Sequence, residues 1–325
     1  MSQSFHGKMN CTYEIKQEVL LFQFVVYIPI FIGGLVLNSM ALVALCWKLK
    51  RAETVIYMTN LATSDILLLF SLPFKIYSYK HSLPNVLCKV LKSVYFGNVY
   101  VSTFMITCIC ADRYIAILYP FKARMLRSPK KASIICAAVW IFSSLFILLN
   151  VFGSGIEEQP KTNSTVCFQG PRWLDHMSAF FVIHLMCFIV QFSIVTFCSV
   201  KVIHSLWKRN KCANSVFTKV RTIRILAANA ITFAVCFTPI QIGICIEVVM
   251  KYMSVDCTIL KHIRSFNEVT ICIANINCCL DGFIFYFITA EIRESIPEGT
   301  QERENYCKTT PTVCKINILT RGQNG

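Results

Sequence analysis

Seven long apolar stretches dominate the sequence, and they constrain its fold more than any other feature. A helix needs about 20 mainly apolar residues to cross a bilayer, and each stretch reaches that length. The stretches cover residues 19–46, 54–77, 90–118, 132–152, 177–202, 223–250 and 259–288. We therefore predict an all-α membrane protein, with an N-terminal segment over 1–18 and a seven-transmembrane helix bundle over 19–288.

The composition excludes a water-soluble protein. Hydrophobic residues make up 55% of the 325 residues and charged residues only 15%, whereas an average soluble domain has about 25% charged residues. A soluble fold could not hide so much apolar surface from water. The net charge of +15 is therefore interpreted as the basic excess of cytoplasmic loops, and no nucleic acid is predicted as a partner.

Basic residues cluster after spans one, three and five, which predicts the orientation of the chain. Loops rich in Lys and Arg stay on the cytoplasmic side, so we predict a multi-pass plasma-membrane protein with its N-terminus extracellular and its C-terminus cytoplasmic. Two glycosylation tripeptides, beginning at Asn10 and Asn163, fall in predicted outer segments and agree with this orientation. The clusters contain Lys48, Lys50, Arg51, Lys122, Arg124, Arg127, Lys130, Lys131, Lys201, Lys208, Arg209, Lys211, Lys219, Arg221 and Arg224.

The chain after span seven is predicted to lie on the cytoplasmic side. We expect a short amphipathic helix over 289–297, followed by a disordered tail over 298–325. Cys307 and Cys314 are candidates for palmitoylation, with unmodified cytosolic thiols as the alternative.

Four of the 18 cysteines lie in predicted outer segments, namely Cys11, Cys88, Cys167 and Cys257. Four cysteines permit three pairings, and free thiols are disfavoured in an oxidising compartment. A Cys88–Cys167 bond would pin the loop after span four over the bundle. Cys11 would then tie the N-terminal segment to Cys257 at the start of span seven.

Three polar residues lie deep inside predicted spans: Asn38, Asp65 and Asp281. Ionisable groups at this depth are costly and are functional candidates by default. We predict that they form a polar cluster holding water or a sodium ion, and interhelical hydrogen bonding is the alternative. No other cofactor or metal ion is predicted.

The motif Asp112-Arg113-Tyr114 ends span three. The helix from Cys88 to Arg113 spans about 37 Å, so Arg113 is predicted at the cytoplasmic face. Together with the seven spans, the polar residues, Trp140 and Cys236-Phe237-Thr238-Pro239, this motif resembles those of rhodopsin-like (class A) G-protein-coupled receptors. The resemblance covers about residues 19–297.

The resemblance implies the Cys88–Cys167 pair, a sodium site at Asp65, and an activation switch in which Arg113 holds span six inward when silent. It also implies a proline kink at Pro239. Gly282 stands where the family has proline, so any bend there is expected to come from glycine. The implied switch residues are Asp112, Arg113, Tyr114, Phe233, Phe237, Pro239, Asp281 and Phe285.

The implied partners are a heterotrimeric G-protein, through the G12/13 class, membrane lipids and arrestin. An enzyme is not predicted, because the sequence has no Gly-x-Ser-x-Gly motif, phosphate loop or His-rich metal set. A membrane transporter is the alternative from another class, although the inverted repeats of many transporters are absent from the sequence.

The outer half is predicted to form a ligand pocket with a basic character. Lys75 lies ten residues after Asp65, about 15 Å nearer the outside, so ligand contact is favoured over snorkelling. The residues predicted to line the pocket on span three share one helical face, although core packing would also explain Val99. The full set is Lys75, Lys92, Tyr95, Phe96, Val99, Tyr100, Gln241 and Arg264.

Cations among aromatic and aliphatic residues suit a small amphiphilic anion, and we predict an anionic lysophospholipid. The motifs Leu72-Pro73-Phe74-Lys75 and Asn277-Cys278-Cys279-Leu280-Asp281 are similar to those of the purinergic-type branch. Within this lysolipid branch they are most similar to the lysophosphatidylinositol receptor and its kynurenate-responsive relative. A Cys11–Cys257 pair also fits the branch. A small aromatic carboxylate or a nucleotide is the alternative ligand.

Overall fold

The computed structural model describes residues 16–48, 53–153, 167–168, 178–208, 213–253 and 255–294. Within them, seven helical segments are long and apolar enough to cross a membrane. This confirms the all-α architecture and the seven spans. The elements are α1 (Gln17–Lys48), α2 (Glu53–Tyr77), α3 (Asn85–Leu118), α4 (Pro120–Leu126), α5 (Pro129–Gly153), α6 (Ser178–Lys208), α7 (Ala213–Thr232), a π-helical segment (Phe233–Phe237), α8 (Thr238–Tyr252), α9 (Cys257–Asn275) and α10 (Asn277–Glu294).

Two spans extend beyond their predicted bounds for local reasons. Helix α3 begins at Asn85, before the predicted start at residue 90, because Pro84 has an extended backbone that starts the helix directly after it. Helix α6 continues past residue 202 to Lys208, because Val202 and Leu206 remain buried one turn apart.

Helix α4 lies in a connection that the sequence analysis left without structure. Pro120 occupies its first turn, where a proline loses no helical hydrogen bond. Ala123 is buried, and α4 packs against the end of α3. The connection between spans three and four is therefore helical and packs against the bundle where α3 ends.

The sixth span is interrupted where Pro239 was expected to disturb it. The π-helical segment Phe233–Phe237 separates α7 from α8, and Pro239 is the second residue of α8. Proline cannot donate a backbone hydrogen bond and crowds the preceding turn. The wider π-helical turn before Pro239 accommodates both the missing hydrogen bond and the crowding. Such turns recur at functional sites.

The seventh span is also divided, at Ile276, between α9 and α10. The amide of Ile276 donates to the carbonyl of Ile273 at 3.1 Å, and the amide of Cys279 donates to the carbonyl of Ile276 at 3.0 Å. These tighter turns place the discontinuity before Gly282, and α10 runs on as one helix through that glycine. Residues 289–294 continue α10 and 295–297 lie outside the described residues, so the separate eighth helix stays a prediction.

Gly282 serves instead as a point of close helix approach. A Cβ atom on it would lie 2.6 Å from the Cβ of Leu37 on α1, well inside van der Waals contact. Helix α10 packs closely along α1, and only the missing side chain at position 282 permits that distance.

Gly282→Ala is therefore expected to lower the free energy of unfolding by about 1–3 kcal/mol through overpacking. Thermal unfolding of the purified protein in detergent measures the effect. Gly33→Ala is the control, since a Cβ there meets only Cys279 Sγ at 3.8 Å. Equal losses at positions 33 and 282 would contradict the packing argument.

Helix α3 is central, packing against α2, α5 and α6, while α1 packs against α2, α9 and α10. The predicted Cys88–Cys167 disulfide is confirmed, with its Cα atoms 5.7 Å apart. We call this end of the bundle the disulfide end and the opposite end the Arg113 end. Cys257 is also disulfide-bonded, but Cys11 lies outside the described residues, so their pairing stays a prediction. Asn10, Asn163, Cys307 and Cys314 lie outside them too.

Candidate functional site

The side chain of Lys75 is buried at the disulfide end, in the last turn of α2, with 2% of its surface exposed. Its Nζ donates hydrogen bonds to the phenol oxygens of Tyr95 at 2.9 Å and Tyr27 at 3.3 Å. The Oε2 atom of Glu268 lies 3.7 Å from the same nitrogen. The lysine that the sequence predicts to contact the ligand therefore lies in a buried polar site formed by α1, α2, α3 and α9.

The two phenols form a directed network beneath the lysine. The oxygen of Tyr95 accepts from Lys75 and also from Nδ2 of Asn275 at 2.7 Å. With both lone pairs used, its own proton points to the oxygen of Tyr27, 2.8 Å away. Asn275 and both tyrosines are buried, so direct hydrogen bonds between side chains fix the floor of the site.

Aromatic rings surround the ammonium group. Its Nζ lies 4.1 Å from the ring centroid of Tyr95, 5.4 Å from that of Tyr27 and 5.5 Å from that of Phe168, within range of cation–π attraction. Phe168 follows the disulfide cysteine Cys167 directly and contacts Tyr95 edge-on at 5.5 Å. The disulfide therefore holds an aromatic cover over the lysine.

Glu268 is held in place by two further polar residues. Nε2 of Gln23 donates to the Oε2 atom of Glu268 at 3.1 Å and to its backbone carbonyl at 3.0 Å. Oε1 of Gln23 accepts from the hydroxyl of Tyr79 at 2.5 Å. Burial raises the pKa of the Tyr79 phenol above its ordinary value, so the hydroxyl stays protonated and fixes the orientation of the Gln23 amide.

The residues predicted to share one face of α3 divide between two groups. Tyr95 faces Lys75, and Phe96 contacts its ring edge-on at 5.2 Å, while Lys92 and Val99 are partly buried. Tyr100 instead contacts Phe146 of α5 and His184 of α6, each with centroids 5.2 Å apart. The structure therefore places Tyr100 away from the lysine, and its ligand contact stays a prediction.

Arg264 belongs to a second buried pair at the disulfide end. Its Nε donates to Oε1 of Glu247 at 3.1 Å, and Nδ2 of Asn267 donates to the other carboxylate oxygen at 2.6 Å. Gly243 lies directly against Asn267, where a Cβ would collide with the amide oxygen. Arg264 is thus partnered by an acid that the sequence analysis did not assign to it. Gln241 is buried on α8.

Asp65 lies buried at the centre of the bundle, as predicted from its depth. Its Oδ1 accepts from Nδ2 of Asn98 at 3.0 Å, and the same amide donates to Oγ of Ser64 at 3.1 Å. Asn98 on α3 is therefore a direct neighbour of the carboxylate that the sequence analysis did not single out.

Asn38 on α1 and Asp281 on α10, the other two residues of the predicted polar cluster, are also buried. Nδ2 of Asn38 donates to the carbonyl oxygens of Gly34 at 2.9 Å and Cys278 at 2.8 Å, and Nδ2 of Asn277 donates to Oδ2 of Asp281 at 2.6 Å. Both amide groups leave a buried oxygen without a hydrogen-bond partner among the described residues. Buried carboxylate and amide oxygens are the kind of ligand that a hard cation such as sodium prefers, so the residue types present fit the predicted ion.

The aromatic residues predicted for the switch line the interruption of the sixth span. Phe233 and Phe237 are almost completely buried and contact each other at 5.5 Å. Phe233 also stacks on Phe188 of α6 at 5.7 Å. The π-helical segment is therefore packed against α6 through rings. Phe285 is buried on α10.

Asp112 at the Arg113 end is held by a network that the sequence did not predict. Arg127, directly after α4, donates from Nε to Oδ1 at 2.7 Å and from Nη2 to Oδ2 at 3.0 Å. Glu53 lies 3.1 Å from the same guanidinium, and Oγ1 of Thr54 donates to Asp112 at 2.6 Å. Partial burial opposes the charge of Arg127, but the bonds to Asp112 outweigh it and raise the pKa of the guanidinium.

Arg113 makes no ion pair within the described part of the chain. Helix α7, the adjoining part of span six, contains no Asp or Glu, so an acidic partner for Arg113 is missing from that helix. Tyr114 contacts Phe197 of α6 at 5.7 Å and Tyr119 at 5.8 Å. The charge network at this end therefore joins α2, α3 and α4, and the switch role of Arg113 stays a prediction.

Arg127→Ala is expected to lower the free energy of unfolding by about 1–3 kcal/mol. It removes a bidentate charge-assisted pair and leaves the carboxylate of Asp112 with weaker partners, although the arginine is 25% exposed and water screens part of the effect. Thermal unfolding in detergent measures the loss. Arg124→Ala is the control, because that arginine on α4 is exposed, and an equal effect of both variants would contradict the network.

Two signals in the sequence could have identified neighbours of Lys75 that the sequence analysis missed. Glu268 is the single acid in α9, and an acid inside a span is a functional candidate by default. Gln23 and Tyr27 are polar residues one turn apart in an otherwise apolar stretch, which places them on one helical face. The pairing of these residues with Lys75 has no sequence signal, because the helices involved lie far apart along the chain.

Comparison with known proteins gives a family and several relatives. The family described as "7 transmembrane receptor (rhodopsin family)" matches residues 37–285. The chain is 32% identical over 311 residues to lysophosphatidic acid receptor 4 of Mus musculus, covering 90% of this chain and 82% of that protein. It is 33% identical over 284 residues to G-protein coupled receptor 35 of Homo sapiens, covering 86% and 88%. It is 32% identical over 309 residues to G-protein coupled receptor 55 of Mus musculus, covering 88% and 92%.

Proposed function

Because this chain belongs to the rhodopsin family of seven-transmembrane receptors, we propose that it binds an anionic lysophospholipid at its disulfide end and activates G12/13-class proteins. Membership makes it a multi-pass plasma-membrane receptor that couples to heterotrimeric G-proteins, and not an enzyme. The ligand and the G-protein class are the proposal.

The buried cation at Lys75 carries the proposal. An ammonium group with 2% exposure is costly to keep inside a bundle. Three aromatic rings surround it here, and two of them are phenols that accept its hydrogen bonds. A phosphate oxygen accepts strong hydrogen bonds from such a group, while the aromatic walls suit the apolar part of a lysolipid. Phe96, beside Tyr95, extends that apolar wall.

The names of the relatives support the same class of ligand. Lysophosphatidic acid receptor 4 and lysophosphatidic acid receptor 6 are both similar to this chain over 88% or more of its length. The lysophosphatidylinositol-like ligand predicted from the sequence motifs belongs to the same class, in which glycerol carries one acyl chain and a phosphate group. We infer that this chain recognises a headgroup of that kind.

The proposed orientation places the disulfide end outside the cell. A disulfide persists in an oxidising compartment, and the basic residues around α4 and α7 then lie in the cytoplasm. The G-protein would meet Arg113, α4 and the basic turn of α7 containing Arg221 and Arg224. Arrestin would use the same face.

We also propose that the polar cluster binds a sodium ion, with Asp65 and Asp281 supplying charge and Asn38 supplying a neutral oxygen. The ion would balance two carboxylates buried at the same depth. This proposal is supported by the unpartnered amide oxygens of Asn38 and Asn277 among the described residues.

The test measures G12/13 activation in cells expressing the full chain at a measured surface level. Lysophosphatidylinositol, lysophosphatidic acid, kynurenate and a nucleotide are applied separately. We expect a saturable response to the lysolipids alone. A response to kynurenate or a nucleotide without a lysolipid response would overturn the ligand, and ion flux in cells lacking G-proteins would instead indicate a transporter.

A further inference from the structure

We propose that the membrane-facing side of α6 binds an anionic phospholipid, with an acyl chain in a groove of this helix and the headgroup against Lys201 and Lys208. The inference goes beyond the proposed function, because it names a second lipid site at the Arg113 end rather than at the disulfide end. The proposed orientation adds only the leaflet from which this lipid comes, the cytoplasmic one.

An open groove with a volume of about 390 Å³ runs along one side of α6. It extends over residues 192–201, about 14 Å of helix, and half of the hydrocarbon core of a bilayer is about 15 Å thick. The groove therefore has the length of one acyl chain in one leaflet. The residues that line it are Phe192, Ser193, Thr196, Phe197, Val200 and Lys201.

The wall of the groove is suited to hydrocarbon. Phe197 and Val200 are exposed on it. The hydroxyl of Ser193 already donates to the backbone carbonyl of Ile189 at 2.8 Å, so its proton is used within the helix. The wall therefore offers apolar contact along the depth of the membrane, as an acyl chain requires.

Lys201 lies where this apolar wall reaches the Arg113 end. The ring of Phe197 is 5.7 Å from that of Tyr114, which follows Arg113. Lys201 comes one turn later, about 6 Å farther toward that end, and its Nζ lies 5.8 Å from the Phe197 ring centroid. Its ammonium group is therefore at the height of the lipid headgroups, where lysines reach the membrane surface.

The same face of α6 continues beyond the groove with polar residues. His204, Trp207 and Lys208 are exposed, and at about 100° per residue they fall within the sector that the groove occupies. Exposed tryptophans are typical of the membrane interface. Lys208 lies about 10 Å after Lys201 along the helix, so two ammonium groups with an imidazole between them stand above the groove.

The charge of this face determines the kind of lipid. Neither α6 nor α7 contains Asp or Glu, and Lys201 and Lys208 form no ion pair with another described residue. Phosphate oxygens form strong charge-assisted bonds with ammonium groups. A zwitterionic lipid gains mainly from the groove, whereas an anionic phospholipid gains from the groove and from the lysines.

The experiment measures lipid binding to the purified full chain in a neutral detergent. The protein is titrated with phosphatidylserine or with phosphatidylcholine of the same acyl chains, and native mass spectrometry gives an apparent Kd for each. We expect the wild type to prefer phosphatidylserine. Lys201→Ala/Lys208→Ala should weaken phosphatidylserine binding by about 10- to 30-fold, since each basic residue near an anionic lipid surface contributes about fivefold in affinity, and should leave phosphatidylcholine binding unchanged.

Three matched variants distinguish a site from general attraction. Lys201→Arg/Lys208→Arg keeps both charges and should keep the preference. Lys122→Ala/Lys130→Ala removes two exposed lysines from α4 and α5 at the same end and should leave both Kd values unchanged. Thr196→Phe fills the groove without changing the charge, and it should weaken the binding of both lipids.

Three results would overturn the inference: equal affinity of the wild type for both lipids, an equal loss in the Lys122→Ala/Lys130→Ala variant, or wild-type binding by Thr196→Phe. The second would mean attraction to any positive surface, and the third would mean that the groove holds no chain. Purified protein binds these lipids whatever its orientation or agonist. Failure here therefore leaves the proposed lysolipid ligand and G-protein class to their own test in cells.

Discussion

Replacing Lys75 by alanine is expected to raise the lysophospholipid concentration for half-maximal G-protein activation by about 100-fold or more. Truncating one partner of a buried, hydrogen-bonded charge pair costs about 2–5 kcal/mol, and each 1.4 kcal/mol changes affinity about tenfold. Lys75 is the buried cation that meets the phenols of Tyr27 and Tyr95, so its loss removes the main attraction for a phosphate. A concentration–response curve in cells measures the shift.

Two matched variants help to interpret that shift. Lys261→Ala removes an exposed lysine at the same end of the bundle and should leave the curve unchanged. Lys75→Ala/Glu268→Gln removes both charges, so it should restore surface expression if the single variant loses it, without restoring the lysolipid response. An unchanged curve for a normally expressed Lys75→Ala variant would disprove phosphate contact at this lysine.

Cys88→Ser, Cys167→Ser and the double variant are expected to lose most of the lysolipid response at the cell surface. Removing a native disulfide costs about 2–5 kcal/mol, and here the bond also holds Phe168 against Tyr95, 5.5 Å away. Without it the aromatic cover leaves Lys75, and water reaches the ammonium group. Radioligand or fluorescent-lysolipid binding on intact cells measures the loss directly.

Cys46→Ser is the control for this prediction, because Cys46 is a free, exposed cysteine. The two single variants and the double variant should agree, since each breaks the same bond. Full binding by Cys167→Ser would mean that the loop stays over Lys75 without the disulfide.

The seven spans and the disulfide were predictable because each depends on one strong local or compositional signal. An apolar run of about 20 residues predicts a membrane-spanning helix. The small number of cysteines in the outer segments restricts the possible disulfide pairings. The depth of Asp65 and Lys75 followed from counting residues along α2, since a helix advances by a fixed rise. These predictions required no knowledge of which helices are neighbours.

The partners of the charged residues were not predictable in the same way. Glu268 meets Lys75, and Arg127 meets Asp112, across helices that the sequence does not order in space. The break at Ile276 has no proline or glycine at that residue, and its cause lies in hydrogen bonds that periodicity does not reveal. The predicted pocket residues on one face of α3 were expected to form a single surface. Tyr100 instead contacts residues of α5 and α6.

The wide turn at Phe233–Phe237 has a consequence for how positions in this receptor are matched to those of its relatives. A π-helical turn contains one residue more than an α-helical turn, so it acts as a one-residue insertion without any gap in the sequence. One residue corresponds to about 100° around an α-helix. Numbering carried at a constant offset from a sixth span without such a turn would therefore displace Gln241 and Glu247 by about 100° around the helix, and mutational maps of α8 should be indexed from Pro239.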